Sequence, residues 1–354
     1  MVPFVPESAV KAVTETLKTR WIGQGPKVEE FEKLFSERIG LPAVATGSCT
    51  DALHLAYLLA GIEPGDEVIA PLFTCTATNI PLLYLGAKIK FVDVLPRSLN
   101  MNPMVGDLIT EKTKAVVVVH YGGMPVQGII YLQNFCWLHK LILIEDCAQG
   151  LGGTYDGKPL GSFGDFSCFS FQAVKHVCTG DGGMLVIRNP ELVEKAKRMR
   201  WFGIDRKAKL EGTWANDITE VGYKYQMTDI AASMGIAGLG CLDEQIAHRR
   251  NLREEYSREL SSTVKVLDED TESACWLFTV SVGRREDLRK KLIEHGIESD
   301  QVHYRNDRYS IFSQFRGTFP NMDTIDSKYL VLPMHMGMTV EDVQYVCGVI
   351  NSGW

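Results

Sequence analysis

The chain has 354 residues, 45% of them hydrophobic, and a net charge of −7. That allows a sizeable core and excludes a general nucleic-acid binder, which needs a basic footprint. No apolar run is long enough to cross a bilayer, and the opening "MVPFVPESAV" has no basic stretch followed by a hydrophobic one, so the expectation is a soluble, cytoplasmic protein.

The first elements read as helices, because "ESAVKAVTETLKTRW" and "VEEFEKLFSERIG" place apolar residues at helical spacing and the second ends in Gly40. "CTDALHLAYLLAG" predicts a third helix, closed by Gly61. The runs "DEVIAPLF", "KIKFVDV", "KAVVVVHYGG" and "KLILIED" are short and rich in β-branched residues, which predicts strands. Strands alternating with helices imply an α/β fold with a mainly parallel sheet covered on both faces. Ligands collect beyond the carboxyl ends of strands in such sheets. That directs attention to Thr74–Thr78, His120–Gly123 and Asp146–Gln149.

Beyond residue 245 the texture changes. "EQIAHRRNLREEYSREL" predicts a long charged helix, "WLFTVSV" a strand and "EDLRKKLIEHG" a helix. Thr339 is placed to cap a last helix that runs to Trp354. The expected division is a large domain over 21–244 and a smaller α/β domain over 245–354, with residues 1–20 associated with the smaller one. The nine cysteines are dispersed, without a C-x-x-C pair, and the eight histidines show no zinc spacing. Core thiols in a reducing compartment are the reading, and no metal site is expected.

Four local features matter jointly. "TGSCTDALHLA" opens a helix at Gly47–Thr50, where free N–H groups and the helix dipole favour an anion. Alone it is an ordinary helix cap. "LILIEDCAQG" ends a hydrophobic strand on Asp146, a carboxylate costly to bury without a cation, with Gln149 three residues on. "FSFQAVKHVCTGDGG" sets Lys175 between an apolar run and a glycine-rich turn, five residues after Ser170. Alone it reads as a surface lysine, yet in a partly dry site its amine can lose a proton and attack a carbonyl. "VGYKYQMTDIAASMG" leads aromatic and polar residues into a small-residue helix. Together these supply what pyridoxal 5′-phosphate (PLP) needs: an anion cup, an amine for its aldehyde and a carboxylate for its ring nitrogen.

At these residues the chain resembles the DegT/StrS family of PLP-dependent nucleotide-sugar aminotransferases, which have the fold-type I architecture. The resemblance runs nearly end to end, and "EDCAQ" and "SF-x-x-x-K" are its most specific pieces. It implies that Lys175 carries PLP as a Schiff base and that Asp146 pairs with the pyridinium nitrogen. Gln149 lies near the ring hydroxyl, and Cys49, Thr50 and Ser170 bind the phosphate. It further implies a homodimer in which the "GYKYQM" segment of one subunit completes the other's site, and transfer of an amino group from L-glutamate to a 3- or 4-keto nucleotide sugar. A related subgroup with histidine at the lysine position performs dehydration, so Lys175 predicts transamination.

Three positions depart from the family pattern. Lys224 stands where an asparagine usually reaches the partner's phosphate, and as a point charge it can serve the same end. Gln226 replaces a neighbouring arginine, and Cys75 replaces the aromatic residue that commonly stacks on the PLP ring, leaving that face to Cys75 or Phe73. His303, Tyr304 and Arg305 lie in a segment resembling the substrate-facing loop, with Arg305 and Arg308 able to pair with diphosphate oxygens. His176 is expected to be structural. The alternatives are a PLP-dependent sugar dehydratase or deoxygenase on the same site, and a regulatory protein that keeps the fold without turnover.

Overall fold

The computed structural model describes residues 2–210, 212–213, 217–267 and 270–354. Two helices lead, α1 (Glu7–Thr19) and α2 (Pro26–Ile39), and an alternation follows: β1 (Ala43–Thr46), α3 (Cys49–Leu59), β2 (Glu67–Pro71), α4 (Thr76–Tyr84), β3 (Lys88–Val92), β4 (Thr113–Val119), α5 (Ile129–His139) and β5 (Ile142–Asp146). A hairpin of β6 (Thr154–Tyr155) and β7 (Lys158–Pro159) precedes β8 (Phe166–Ser170) and β9 (Gly183–Ile187). Helices α6 (Val193–Met199), α7 (Arg206–Leu210) and α8 (Asp229–Gly240) then lead to α9 (Leu242–Glu259). The chain finishes with β10 (Lys265–Val266), β11 (Phe278–Ser281), α10 (Arg285–Glu294), α11 (Pro320–Ile325), β12 (Tyr329–Leu332) and α12 (Val340–Asn351).

Seven strands form the main sheet in the order β1-β9-β8-β5-β4-β2-β3. Only β9 runs against its neighbours β1 and β8; the β8-β5, β5-β4, β4-β2 and β2-β3 pairs are parallel. The run of valines in β4 shows why both faces are covered. Val117 and Val119 pack on one side with Tyr57 and Leu185, while Val116 and Val118 pack on the other with Phe35 and Met184. Alternate side chains of a strand point to opposite faces, so an unbroken apolar strand needs two apolar layers.

A three-stranded antiparallel sheet, β10-β11-β12, forms the second layer system with α9, α10 and α12. Thr339 caps α12 in a full capping box with Asp342, and the helix stops at Asn351, three residues short of the expected end. Helix α1, expected to travel with this C-terminal unit, packs instead along α8, burying Ala9 and Thr16. Ahead of α1, Val2 lines a cavity of the C-terminal unit. Residues 303–325 also cross back. Phe312, Phe319 and Met322 join Phe91 in the core beneath the main sheet, and the Asn306 N–H donates to Leu72 O at 2.7 Å.

One buried ion pair ties α2 to the sheet edge. Glu32 accepts from the Arg200 guanidinium and from Ala45 N–H at 2.9 Å, and Arg200 also donates to Ala45 O at 2.7 Å. Glu32→Gln leaves a guanidinium buried against a neutral group, so it should cost about 3–5 kcal/mol of stability. Chemical denaturation checks this, and a midpoint matching the wild type contradicts it.

Candidate active site

Strands β8, β5, β4 and β2 are parallel neighbours, so their carboxyl ends meet along one edge. Ser170, Asp146, His120 and Phe73–Thr78 therefore come together although up to a hundred residues separate them. Asp146 is 4% exposed. Its Oδ2 accepts from the Thr78 hydroxyl at 2.7 Å and its Oδ1 from Ala148 N–H at 2.9 Å. Thr78 in turn accepts from Thr74, with 2.9 Å between the oxygens. Burial pushes the Asp146 carboxyl up; the Ala148 and Thr78 donors and the charge of Lys175 hold it back.

Lys175 follows β8 by five residues, its N–H bonded to Gln172 O at 2.8 Å. Burial pulls its amine down to about 8, against the opposing pull of Asp146, Cys49 and Cys75. The Lys175 Nζ lies 3.5 Å from the ring centroid of Trp276. His176, beside it in sequence, turns away and donates from Nε2 to Ala274 O at 2.8 Å, as expected of a structural residue.

The expected anion cup lies at the start of α3. Ser48 caps the helix by accepting from Asp51 N–H at 3.0 Å, Cys49 is buried at the first position, and Thr50 is half-buried at the second. Gly183 at the start of β9 lets this end approach closely: a Cβ there would lie 2.3 Å from Ser48 O and 2.6 Å from Cys49 N. Only glycine has room, because the colliding atoms are backbone. Ser170, buried at the end of β8, accepts from Gln172 N–H at 3.3 Å.

On the other side, Gln149 is oriented by its Oε1 accepting from Gly122 N–H at 2.6 Å, and its Nε2 donates to His303 Nε2 at 3.2 Å. Burial and Lys175 push His303 down to about 4, which fits its role as neutral acceptor. Tyr304 is stacked by the Arg308 guanidinium at 4.5 Å. Arg305 is committed to two carboxylates, Asp307 at 2.7 and 2.9 Å and Asp323, which offset its charge locally. Phe73 is fixed between Tyr121 and Tyr329, with centroids 4.9 and 5.1 Å away, whereas Cys75 is half-buried at the start of α4.

Lys224 is exposed, apart from this cluster, with Nζ 5.4 Å from the Phe202 ring. Its neighbours run beside the cup: Gly47 N–H donates to Tyr225 O at 2.7 Å, and Gln226 pairs with Thr46. Part of the polar 201–219 stretch, residues 211 and 214–216, lies outside the described residues. Thr78 and Trp276 are the site members that sequence reasoning missed. Thr78 lay within a flagged post-strand segment; Trp276 carried no signal, being the first residue of an apolar run read as a strand.

Glu145, next to Asp146 but on the opposite face of β5, anchors the edge from behind. It accepts from His120 at 2.9 Å, from the N–H groups of Gly161, Phe163 and Gly164, and from Ser167.

A parallel α/β sheet ending in an anion cup, a buried carboxylate and a desolvated lysine defines a PLP-type transferase. A model of the DegT/DnrJ/EryC1/StrS aminotransferase family matches residues 5–351, and the chain belongs to this family, whose aminotransferases are PLP-dependent. It is 33% identical over 364 residues to UDP-4-amino-4,6-dideoxy-N-acetyl-beta-L-altrosamine transaminase of Campylobacter jejuni subsp. jejuni serotype O:23/36 (strain 81-176), covering 98% of this chain and 95% of that one. Among solved structures, the sugar aminotransferase CalS13 from Micromonospora echinospora superimposes with a TM-score of 0.93 at 31% identity, covering 100% of this chain and 99% of that one. Spr1654 from Streptococcus pneumoniae, solved in a PLP-form, gives a TM-score of 0.90 at 27% identity over 99% and 98% of the two chains.

Thr78→Val removes a donor from buried Asp146 with little change of volume, so about 1–2 kcal/mol of stability at neutral pH should be lost. Denaturation of the cofactor-free protein reads this directly, and an unchanged midpoint contradicts the contact.

Proposed function

We propose that the protein moves an amino group from L-glutamate to the C3 or C4 keto carbon of a 6-deoxy nucleotide sugar, yielding an amino-sugar nucleotide and 2-oxoglutarate. The observation that carries this reading is the buried Asp146 carboxylate at the end of β5, held by Thr78 and Ala148, with the half-buried Lys175 following the neighbouring strand β8. The nucleotide-sugar substrate is supported by the relatives. The Campylobacter enzyme's name carries nitrogen at C4, which favours amination at that carbon.

The residues present fit PLP. Asp146, fixed by Thr78 and Ala148, would hold a protonated ring nitrogen. Lys175 would supply the amine for the aldehyde, and the start of α3 with Ser170 would supply donors for the phosphate, where β9 comes so close at Gly183 that a Cβ has no room. Gln149, oriented by Gly122, serves the ring hydroxyl. When bound, PLP supplies an electron sink for the carbanion left at the substrate carbon.

The protein's own part is binding and proton transfer. When its amine is free, Lys175 Nζ would take the proton from the donor's α-carbon and hold it in the site for its return within the same transfer. The order reverses on the keto sugar. An amine pulled down to about 8 suits both directions near neutral pH, since neither its charged nor its neutral form is scarce. Asp146 keeps the ring nitrogen charged, and His303 with Tyr304 lines the substrate side.

A homodimer is part of the proposal, with Lys224 reaching the partner's phosphate. Beside Lys224 lies the exposed ring of Phe202, and Val221, three residues before it, is also exposed. A patch of this kind favours a covered surface. We also read residues 21–244 and 245–354 as the two domains, with α9 leading into the second.

Incubation with L-glutamate and a panel of keto nucleotide sugars, read by mass, tests the reaction; a sugar that loses a hydroxyl without gaining an amine supports the dehydratase instead. Lys175→Ala should abolish the visible absorbance of bound cofactor together with turnover, and persisting turnover contradicts the role. Uptake of PLP by the apoenzyme should accelerate as pH rises through about 8 and level off above it. The sign follows because burial disfavours the charged amine, and only the neutral form attacks an aldehyde. Stopped-flow absorbance across that range checks it; an inflection near the ordinary lysine value of about 10.4 contradicts it.

A further inference from the structure

The contact between Lys175 and Trp276 is held from both layer systems of the fold. The Lys175 Nζ sits 3.5 Å from the indole centroid, well inside the range in which a ring face attracts an ammonium. The ring is pinned by its own Nε1, which donates to Val174 O at 3.0 Å, one residue from the lysine. Its backbone N–H donates to Gly122 O at 2.9 Å, and Ala274 N–H to Gly123 O at 2.8 Å, so the segment grips the end of β4.

From the C-terminal unit, Arg249 on α9 donates to Cys275 O and Trp276 O at 3.3 Å and to Met334 O at 3.2 Å. The His303 ring lies nearly parallel to the indole, 19° between planes and 6.2 Å between centroids. A 2% exposed indole tethered this way has no freedom to follow the lysine, so the lysine comes to it.

We propose that Trp276 is a positioning residue of the transfer: its indole face holds the Lys175 ammonium whenever that amine is detached from the cofactor, keeping it beside the reacting carbons for the return of the proton. The inference rests on the reading of Lys175 as the cofactor lysine. It explains a requirement that the mechanism leaves open. The lysine must release the cofactor once per half-reaction, and a free four-carbon chain carrying a charge would otherwise swing toward water. The other groups facing the amine are Asp146 on β5, Cys49 on α3, Cys75 at the start of α4 and His303 on the returning loop. In the loaded enzyme Asp146 would be engaged at the ring nitrogen. With that carboxylate engaged, the indole face is the aromatic surface left beside the charged amine.

The test uses the full-length enzyme converted to its amino form with excess donor, in which Lys175 is detached. Trace acetylation with acetic anhydride between about pH 6 and 10, followed by peptide mass mapping, reads the titration of Lys175 itself. Trp276→Leu removes the ring face, so the apparent pKa should fall by about one pH unit, and the acid limb of the pH–rate profile should move down with it. The rate constant kcat should fall about tenfold while KM for the sugar changes little, because the ring acts after binding. Trp276→Phe keeps a ring face and should restore most of both. Titration of Trp276→Leu coinciding with the wild type, or of Trp276→Phe coinciding with Trp276→Leu, overturns the inference. Borohydride reduction of the wild-type holoenzyme separates the two levels. Cofactor trapped on a lysine other than Lys175 defeats the underlying reading, whereas trapping on Lys175 with unshifted titration defeats the role of Trp276 alone.

Discussion

A carboxylate at the end of a hydrophobic strand is unfavourable unless its surroundings are built for it, and Asp146 organises its part of the molecule accordingly. Burial drives its proton affinity up, so each donor supplied to it recovers part of the cost. Thr78 reaches it from α4, Ala148 from the turn that follows β5, and the charge of Lys175 from beyond β8. Two segments distant in sequence and the turn beside it are thus recruited to one side chain. The same desolvation that penalises the carboxylate also lowers the lysine, so the two groups adjust each other. A cationic ring nitrogen placed against Asp146 completes the arrangement, which is why this site suits PLP better than a neutral ligand.

The second constraint is that the C-terminal unit closes on the site. The 273–277 strap binds Gly122 and Gly123 on one side and Arg249 on the other, and residues 303–306 return to Leu72 and Thr74. Arg249 is a buried cation whose Nη1 donates to three carbonyl groups, its guanidinium pulled down to about 10 by burial. Such a group makes geometry exacting, because each lost carbonyl leaves a charge poorly solvated. Trp276 and His303, both carried by these crossings, reach Lys175 and Gln149 only while the crossings hold. Glu145 does the equivalent on the far side of β5, where five donors fix the loop after β7 and the ring of His120.

Much of this was legible in the residues themselves. Strands β2 to β5 declared themselves by short β-branched runs, and α2, α3 and α9 by spacing and caps. The position of Asp146 followed from where β5 ends, whereas Ser170 was singled out by its spacing from Lys175 and by the family resemblance. Helix α5 was not legible, since "IIYLQNFCWLH" is apolar on every face and carries no period. For α1, an amphipathic stripe says that a partner exists and not which one; α8 is that partner. Arg305 illustrates the opposite limit. Its sequence context suggested an anion receptor, but Asp307 lies two residues on and Asp323 arrives from α11, a contact that only folding reveals. Trp276 was hidden for a similar reason, since an indole in an apolar run looks like core until a lysine is found over it.

The central claim is that Lys175 and Asp146 grip opposite ends of one pyridine ring. A crystal structure of the PLP-bound enzyme measures this most directly. The account predicts continuous density from Lys175 Nζ to the cofactor, with the ring nitrogen about 2.7–2.9 Å from an Asp146 carboxylate oxygen. A cofactor joined to a different lysine, or a ring nitrogen turned away from Asp146, would contradict it.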